Sequence, residues 1–141
     1  MTITPIILQK LKPLFLPLKK SIQIKKLVLV FQPHRYTRMK ALWDEFLLAL
    51  KDPEILILTE IYPASEKPIP GISGFTFFES IKNIRTPNPT FYGETFEEIF
   101  ALLEKIAGEN QIILTMGAGN IYKLHKMLLE QENEERSKNV V

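Results

Sequence analysis

Hydrophobic positions in this chain form short uniform runs, separated by longer stretches in which they recur every three or four residues. Buried strands alternating with amphipathic helices produce that pattern. Leu27-Val28-Leu29-Val30-Phe31 is β-branched and aromatic, too short for a helix and apolar throughout, as a strand covered on both faces is. Pro33 ends it, because proline donates nothing to a sheet ladder and drives Gln32 away from the helical region. Beyond it Met39, Leu42, Trp43, Phe46, Leu47 and Leu50 recur at helical spacing. They predict one helix over residues 37–50, with Trp43 in the core. Asp52-Pro53 closes that helix, and residues 55–61 read as a second buried strand. This order implies a right-handed parallel crossover.

Residues 62–74 contain Pro63, Pro68, Pro70, Gly71 and Gly74, which predicts a surface loop of defined shape. Ser73 or Gly74 opens a helix to about Asn83, with Phe75, Phe78 and Ile81 expected inward. A short strand at 90–92 is confined to a sheet edge by Pro87 and Pro89. Thr95-Phe96-Glu97-Glu98 reads as a capping box. The helix after it presents Phe96, Ile99, Phe100, Leu103, Ile106 and Ala107 on one face and stops at Gly108. Residues 111–115 form the last buried strand and Gly117-Ala118-Gly119 the turn. The final helix begins at Asn120, with Ile121, Leu124, Leu128 and Leu129 inward and His125 beside them without a role. At the other end, Thr4 as N-cap and Pro5 predict a short helix, followed by an irregular stretch at Pro13 and Pro17.

The expected organisation is a lead-in over 1–26, one domain over 27–130 and a polar, fraying tail over 131–141. The expected fold is α/β, a Rossmann-like open, mostly parallel sheet with helices on both faces. Ligands of such sheets meet the carboxyl ends of the strands, which sets residues 34–38, 62–67 and 117–120 along one rim.

Composition narrows the chemistry. Eighteen basic and 16 acidic residues leave a formal charge of +2, so nothing global attracts nucleic acid or an anionic membrane, and any anion site is local. Cysteine is absent, which removes disulfides, thiolate metal sites and cysteine nucleophiles, and agrees with a cytoplasmic protein. The two histidines have no acidic residue at metal-ligand spacing, so no metal site is expected. Lys10, Lys12, Lys19 and Lys20 break the apolar lead-in into pieces too short for a signal core or a membrane span.

Candidate chemistry concentrates at His34, Arg35 and Arg38. Two guanidiniums where a buried strand gives way to a helix suit a carboxylate or phosphate, and the same residues also read as solvated surface arginines. Tyr36 and Tyr62 fit either the core or a stacking role. Glu60 and Glu66 bring charge to the rim. Gly117 and Gly119 are open between a tight turn and a close backbone approach to a ligand, with Asn120 beside them.

Phe31-Gln32-Pro33-His34-Arg35-Tyr36-Thr37-Arg38, Thr59 through Gly71 (TEIYPASEKPIPG) and Thr115-Met116-Gly117-Ala118-Gly119-Asn120-Ile121 resemble, in order and spacing, three blocks of the C-terminal domain of the Mur ligases, specifically those that join L-alanine to UDP-N-acetylmuramic acid. The resemblance covers residues 27 to about 130; Thr4-Pro5-Ile6 matches only partly, and Ser65 stands where that block usually has glycine. It implies a three-domain enzyme of peptidoglycan synthesis, with an N-terminal UDP-binding domain and a central ATPase domain. The third domain, which this chain resembles, closes over the active site. ATP and Mg2+ activate the muramoyl carboxylate as an acyl phosphate, which L-alanine attacks. By resemblance, His34, Arg35 and Arg38 meet the amino acid carboxylate and the intermediate; from their place on the rim, Tyr62 and Glu66 are further candidates for substrate contact, and Gly117, Gly119 and Asn120 for a place near the nucleotide. No Gly-x-x-x-x-Gly-Lys-Ser/Thr occurs in the chain. Taken alone it is therefore expected to bind no ATP or Mg2+, to carry no catalytic residue of its own and to be inactive. The alternative is a stand-alone Rossmann-like module that binds a small anion or a protein partner.

Overall fold

The computed structural model describes residues 26–108 and 111–139; the helix expected from Thr4 and the irregular stretch at Pro13 and Pro17 lie outside the described residues. Four strands form one sheet: β1 (Lys26–Phe31), β2 (Ile55–Thr59), β3 (Thr90–Gly93) and β4 (Gln111–Met116), in the order β3-β2-β1-β4. Every pairing is parallel, with Val28 opposite Ile55, Leu56 opposite Thr90 and Lys26 opposite Gln111. The expected α/β fold is present.

Strand side chains alternate between two cores. Leu27, Leu29 and Phe31 of β1, with Leu56 and Leu58 of β2, pack under α1 (Tyr36–Ala41), α2 (Trp43–Ala49) and α3 (Gly74–Ile81). Val28, Val30, Ile55 and Ile57 point the other way, under α4 (Phe96–Ile106) and α5 (Tyr122–Asn139). Two-sided burial explains why the strands read as unbroken apolar runs rather than alternating ones.

Several expectations are corrected. The helix expected over 37–50 is broken at Leu42, whose φ of −116° and ψ of 22° are not helical. The two halves stay coupled through Leu42 N–H to Arg38 O and Phe46 N–H to Leu42 O, and Trp43 meets the edge of Phe77 at 5.1 Å. In α3 the buried aromatic is Phe77, while Phe75 is exposed. Ser73 and Thr76 close a reciprocal capping box there, which starts the helix at Gly74 and turns Phe77, with Ile81, onto the sheet. Strand β2 stops at Thr59 because the Glu60 side chain, not a neighbouring strand, accepts from Ile61 N–H. Strand β4 is half-exposed, since among the described residues it pairs with β1 alone. Leu129 faces outward, and α5 runs to Asn139, with an Arg136–Glu132 pair one turn apart in its last stretch. At α4, Thr95 accepts from Glu98 N–H as expected, but the Glu98 carboxylate reaches Glu94 N–H.

One buried cation has no counterpart in the expectations. Arg85 is 3% exposed and donates to the carbonyls of Leu50, Lys51, Pro53 and Pro89 and to Thr90 Oγ1, at 2.7 to 3.4 Å. It joins the end of α2, the entry to β2 and the start of β3. Burial lowers its pKa to about 10, so it stays protonated at neutral pH. Replacing Arg85 by alanine strands several buried carbonyls, at about 1–3 kcal/mol each when unsatisfied. Urea denaturation of Arg85→Ala is expected to show a loss of about 3 kcal/mol or more, and Arg85→Lys, with a single ammonium, to recover only part of it.

Candidate functional site

The rim is built where β1 and β2 leave the sheet side by side. His34 and Tyr62 form a further parallel bridge beyond the strands, with Arg35 N–H donating to Tyr62 O at 2.8 Å and Tyr62 N–H to Pro33 O at 2.9 Å. Their rings stack, with centroids 5.6 Å apart and planes 12° from parallel. Arg38, one turn along α1, points an Nη1–H at His34 Nδ1 across 3.3 Å. Arginine only donates, so Nδ1 is the acceptor and the neutral imidazole carries its proton on Nε2. Burial, then Arg38 and Arg35, lower the His34 pKa below its ordinary 6.5, which keeps that neutral form. His34 is thus a hydrogen-bond donor at neutral pH.

Helix α1 has no side-chain cap of its own. Glu66, 29 residues further on, supplies one: its carboxylate accepts from Thr37 N–H at 3.1 Å and from Thr37 Oγ1 at 2.5 Å. Both oxygens are engaged, so Glu66 shapes the site and draws the helix-terminal N–H away from any ligand. The positive charge offered to an anion comes from Arg35, which is exposed, and Arg38, which is half-buried. Glu60 is similarly engaged, accepting from Ile61 N–H, from Gly74 N–H at 2.6 Å and from Tyr92 Oη–H at 2.7 Å. Burial, then the bond to Glu60, raise the Tyr92 pKa well above its usual value.

Among the described residues, the non-glycine residues at positive φ are Arg35 (71°), Ala64 (50°) and Ser65 (70°), all in these two loops. Strain of this kind costs of order 1–3 kcal/mol per residue and collects where surrounding structure imposes a geometry. The Pro33–Tyr62–Arg35 bridge imposes it at Arg35. At Ser65 the backbone keeps a conformation that suits glycine.

Gly117, Gly119 and Asn120 lie at the end of β4, where Gln32 organises them. The Gln32 side chain is 4% exposed, donates from Nε2 to Asn120 Oδ1 at 2.7 Å and accepts at Oε1 from Ile121 N–H at 3.1 Å. A Cβ on Gly117 would stand 3.0 Å from the Gln32 Cβ, and one on Gly119 2.7 Å from the Tyr62 Cβ. The close approach that requires glycine is therefore made by the protein itself. Gln32, Tyr62 and Asn120 also line a cleft of about 330 Å3 that extends to Thr95 and Phe96 at the start of α4. Among the described residues, no group of three or more histidine and carboxylate side chains is placed to hold a metal ion. The structure thus brings His34, Arg38 and Tyr62 into contact, ties Arg35 in by its backbone and Glu66 through Thr37, and joins the glycine turn through Gln32. A polar side chain between a buried strand and a proline was the available signal for Gln32.

Relief of strain predicts that Arg35→Gly raises stability by about 1 kcal/mol, the net of 1–3 gained and 0.5–1 lost to glycine entropy. Arg35→Ala is expected to give no gain; equilibrium denaturation checks both. The pH dependence has two parts. Glu66 is held below its ordinary 4.5 by the Thr37 hydroxyl and amide, so its contribution is present above pH 4.5 and lost as pH falls through the folded value. His34 is a base with a depressed pKa, so stability declines as pH falls from 6.5 toward its folded value. Denaturation across pH is expected to show the acid limb flattened by Glu66→Gln and the window below 6.5 flattened by His34→Gln.

No protein-family model matches the chain. Among curated proteins it is similar to UDP-N-acetylmuramate–L-alanine ligases. It is 44% identical to that of Nitratidesulfovibrio vulgaris over 97 residues, 69% of this chain and 21% of the relative. It is 44% identical to that of Geotalea daltonii over 110 residues, 78% of this chain and 24% of the relative. With the Ruthia magnifica protein it shares 40% over 120 residues, 85% of this chain and 25% of the relative. The chain spans at most about a quarter of the length of these relatives. Identity of 40–44% over 69–85% of the chain, on a four-stranded parallel α/β sheet, bears out the resemblance of this chain to the C-terminal domain of the UDP-N-acetylmuramate–L-alanine ligases.

Proposed function

We propose that this domain serves a cytoplasmic ligase that uses ATP to add L-alanine to UDP-N-acetylmuramic acid in peptidoglycan synthesis, and that it closes over the active site and positions the amino acid. The observation that carries the reading is the rim itself: Arg35 and Arg38 flank a neutral His34 whose tautomer Arg38 sets. Guanidiniums bind a carboxylate through charge-assisted bonds, and they offset negative charge that builds as the amine attacks an activated carboxyl group. His34, with its Nε2–H free of the Arg38 contact, orients an acceptor oxygen. The contribution is positioning and electrostatics.

ATP and Mg2+ fit poorly among the described residues. There is no P-loop sequence, Gly117 and Gly119 are packed by Gln32 and Tyr62, and among the described residues no group of three or more metal-ligating side chains is gathered. Both are assigned to the remainder of the ligase, together with the uridine nucleotide.

Purified chain supplied with ATP, Mg2+, UDP-N-acetylmuramic acid and L-alanine is expected to form no product, and detected ligation would refute this division of labour. In the assembled ligase, Arg38→Ala and Arg35→Ala are each expected to raise the KM for alanine about tenfold to a hundredfold, for a charge-assisted bond worth about 1.5–3 kcal/mol. Unchanged alanine kinetics in both would favour a stand-alone anion- or protein-binding module. Immunoblotting of source cells for the native mass separates the two readings independently.

A further inference from the structure

Outside the arginine pair, Gln32, Gly119 and Tyr62 are closely fitted to one another. Gln32 is buried at the end of β1 and ties down the β4–α5 turn through Asn120 and Ile121. That turn sets Gly119 against Tyr62 so closely that an added Cβ would overlap the ring's Cγ and stand 2.8 Å from Gln32 Oε1. Tyr62 in turn stacks on His34 at 5.6 Å, and His34 accepts from Arg38. The contacts form an unbroken series from the glycine turn to the guanidinium.

We infer that Gly119 and Gln32 are positioning residues for the arginine site, acting through the Tyr62 ring to hold the His34 imidazole in the plane from which it meets Arg38. The glycine turn then serves the amino-acid end of the site. A side chain at 119 displaces the Tyr62 ring, and because it would also stand 2.7 Å from the Tyr62 Cβ, which ring rotation leaves in place while the bridge to Pro33 and Arg35 holds the backbone, the glycine turn shifts as well. The imidazole then loses its stacked neighbour. Among the described residues, the charged groups that face His34 are Arg38 and Arg35 of its own loop and helix and Glu66 of the Tyr62 loop, and a change at 119 replaces none of them.

The chain carries two histidines, so proton NMR readily distinguishes His34 from the exposed His125. In the unmodified chain the His34 ring protons are expected to be shielded by Tyr62; absence of that shielding overturns the stacked arrangement and the inference with it. Gly119→Ala is expected to abolish the shielding and raise the His34 pKa toward 6.5. Gln32→Met keeps side-chain length but neither donates to Asn120 nor accepts from Ile121, and is expected to act in the same direction without any overlap. Lowered melting temperature in either folded variant with the His34 shift and titration unchanged would reduce Gly119 and Gln32 to packing. The consequence for substrate rests on the ligase reading: in the assembled enzyme Gly119→Ala is expected to raise the KM for alanine while leaving that for ATP. Failure of that kinetic arm alone would count against the ligase reading, whereas failure of the NMR arm would overturn the relay.

Discussion

A parallel sheet is covered on both faces, because each strand must be reached by a crossover that passes over one face or the other. In this chain that constraint makes Leu27 to Val30 fully buried, with Phe31 and the polar Gln32 close behind. No polar chemistry fits inside β1 or β2, so it is displaced to the carboxyl ends, where the backbone is released from the ladder. The crossovers from β1 to β2 and from β3 to β4 lie on opposite faces, and the chain parts at the end of β1. Gln32 stands at that parting and ties the β4–α5 turn to the end of β1 with both ends of one amide.

The rim is held by loop-to-loop contacts more than by helices or strands. Helix α1 has six residues, too few to persist alone, and it is finished by a carboxylate from the loop after β2. The His34–Tyr62 bridge continues the sheet past the point where side chains have left it. Strain at Arg35, Ala64 and Ser65 is the cost of bringing these loops into register. The outcome is a pair of guanidiniums beside a neutral imidazole, with both nearby glutamates engaged by protein donors.

Uniform apolar runs made the strands legible, and helical spacing made the helices legible, because burial alone decides both. Boundaries were less accessible. The break at Leu42 leaves the stripe from Met39 to Leu50 intact, so periodicity does not register it. The choice of Phe77 over Phe75 depends on where the Ser73 box starts the helix, one residue being enough to rotate a face by about 100°. The rim residues were legible by type and location, while their partners were not: Glu66 reads as a ligand group until Thr37 is seen beneath it. Arg85 was illegible because all its acceptors but Thr90 Oγ1 are backbone carbonyls, which carry no residue-specific signal.

Arg85 also divides the molecule by its sensitivity to surroundings. Its hydrogen-bond partners are neutral and the Asp52 carboxylate acts on it only as a nearby charge, second to burial, so added salt and acid weaken this junction little. The contact between Glu66 and Thr37 is open to acid, since it depends on a surface carboxylate. The framework beneath α2 and β3 thus keeps its shape across ionic conditions that loosen the rim, and the domain responds to its medium at the end where substrate would arrive.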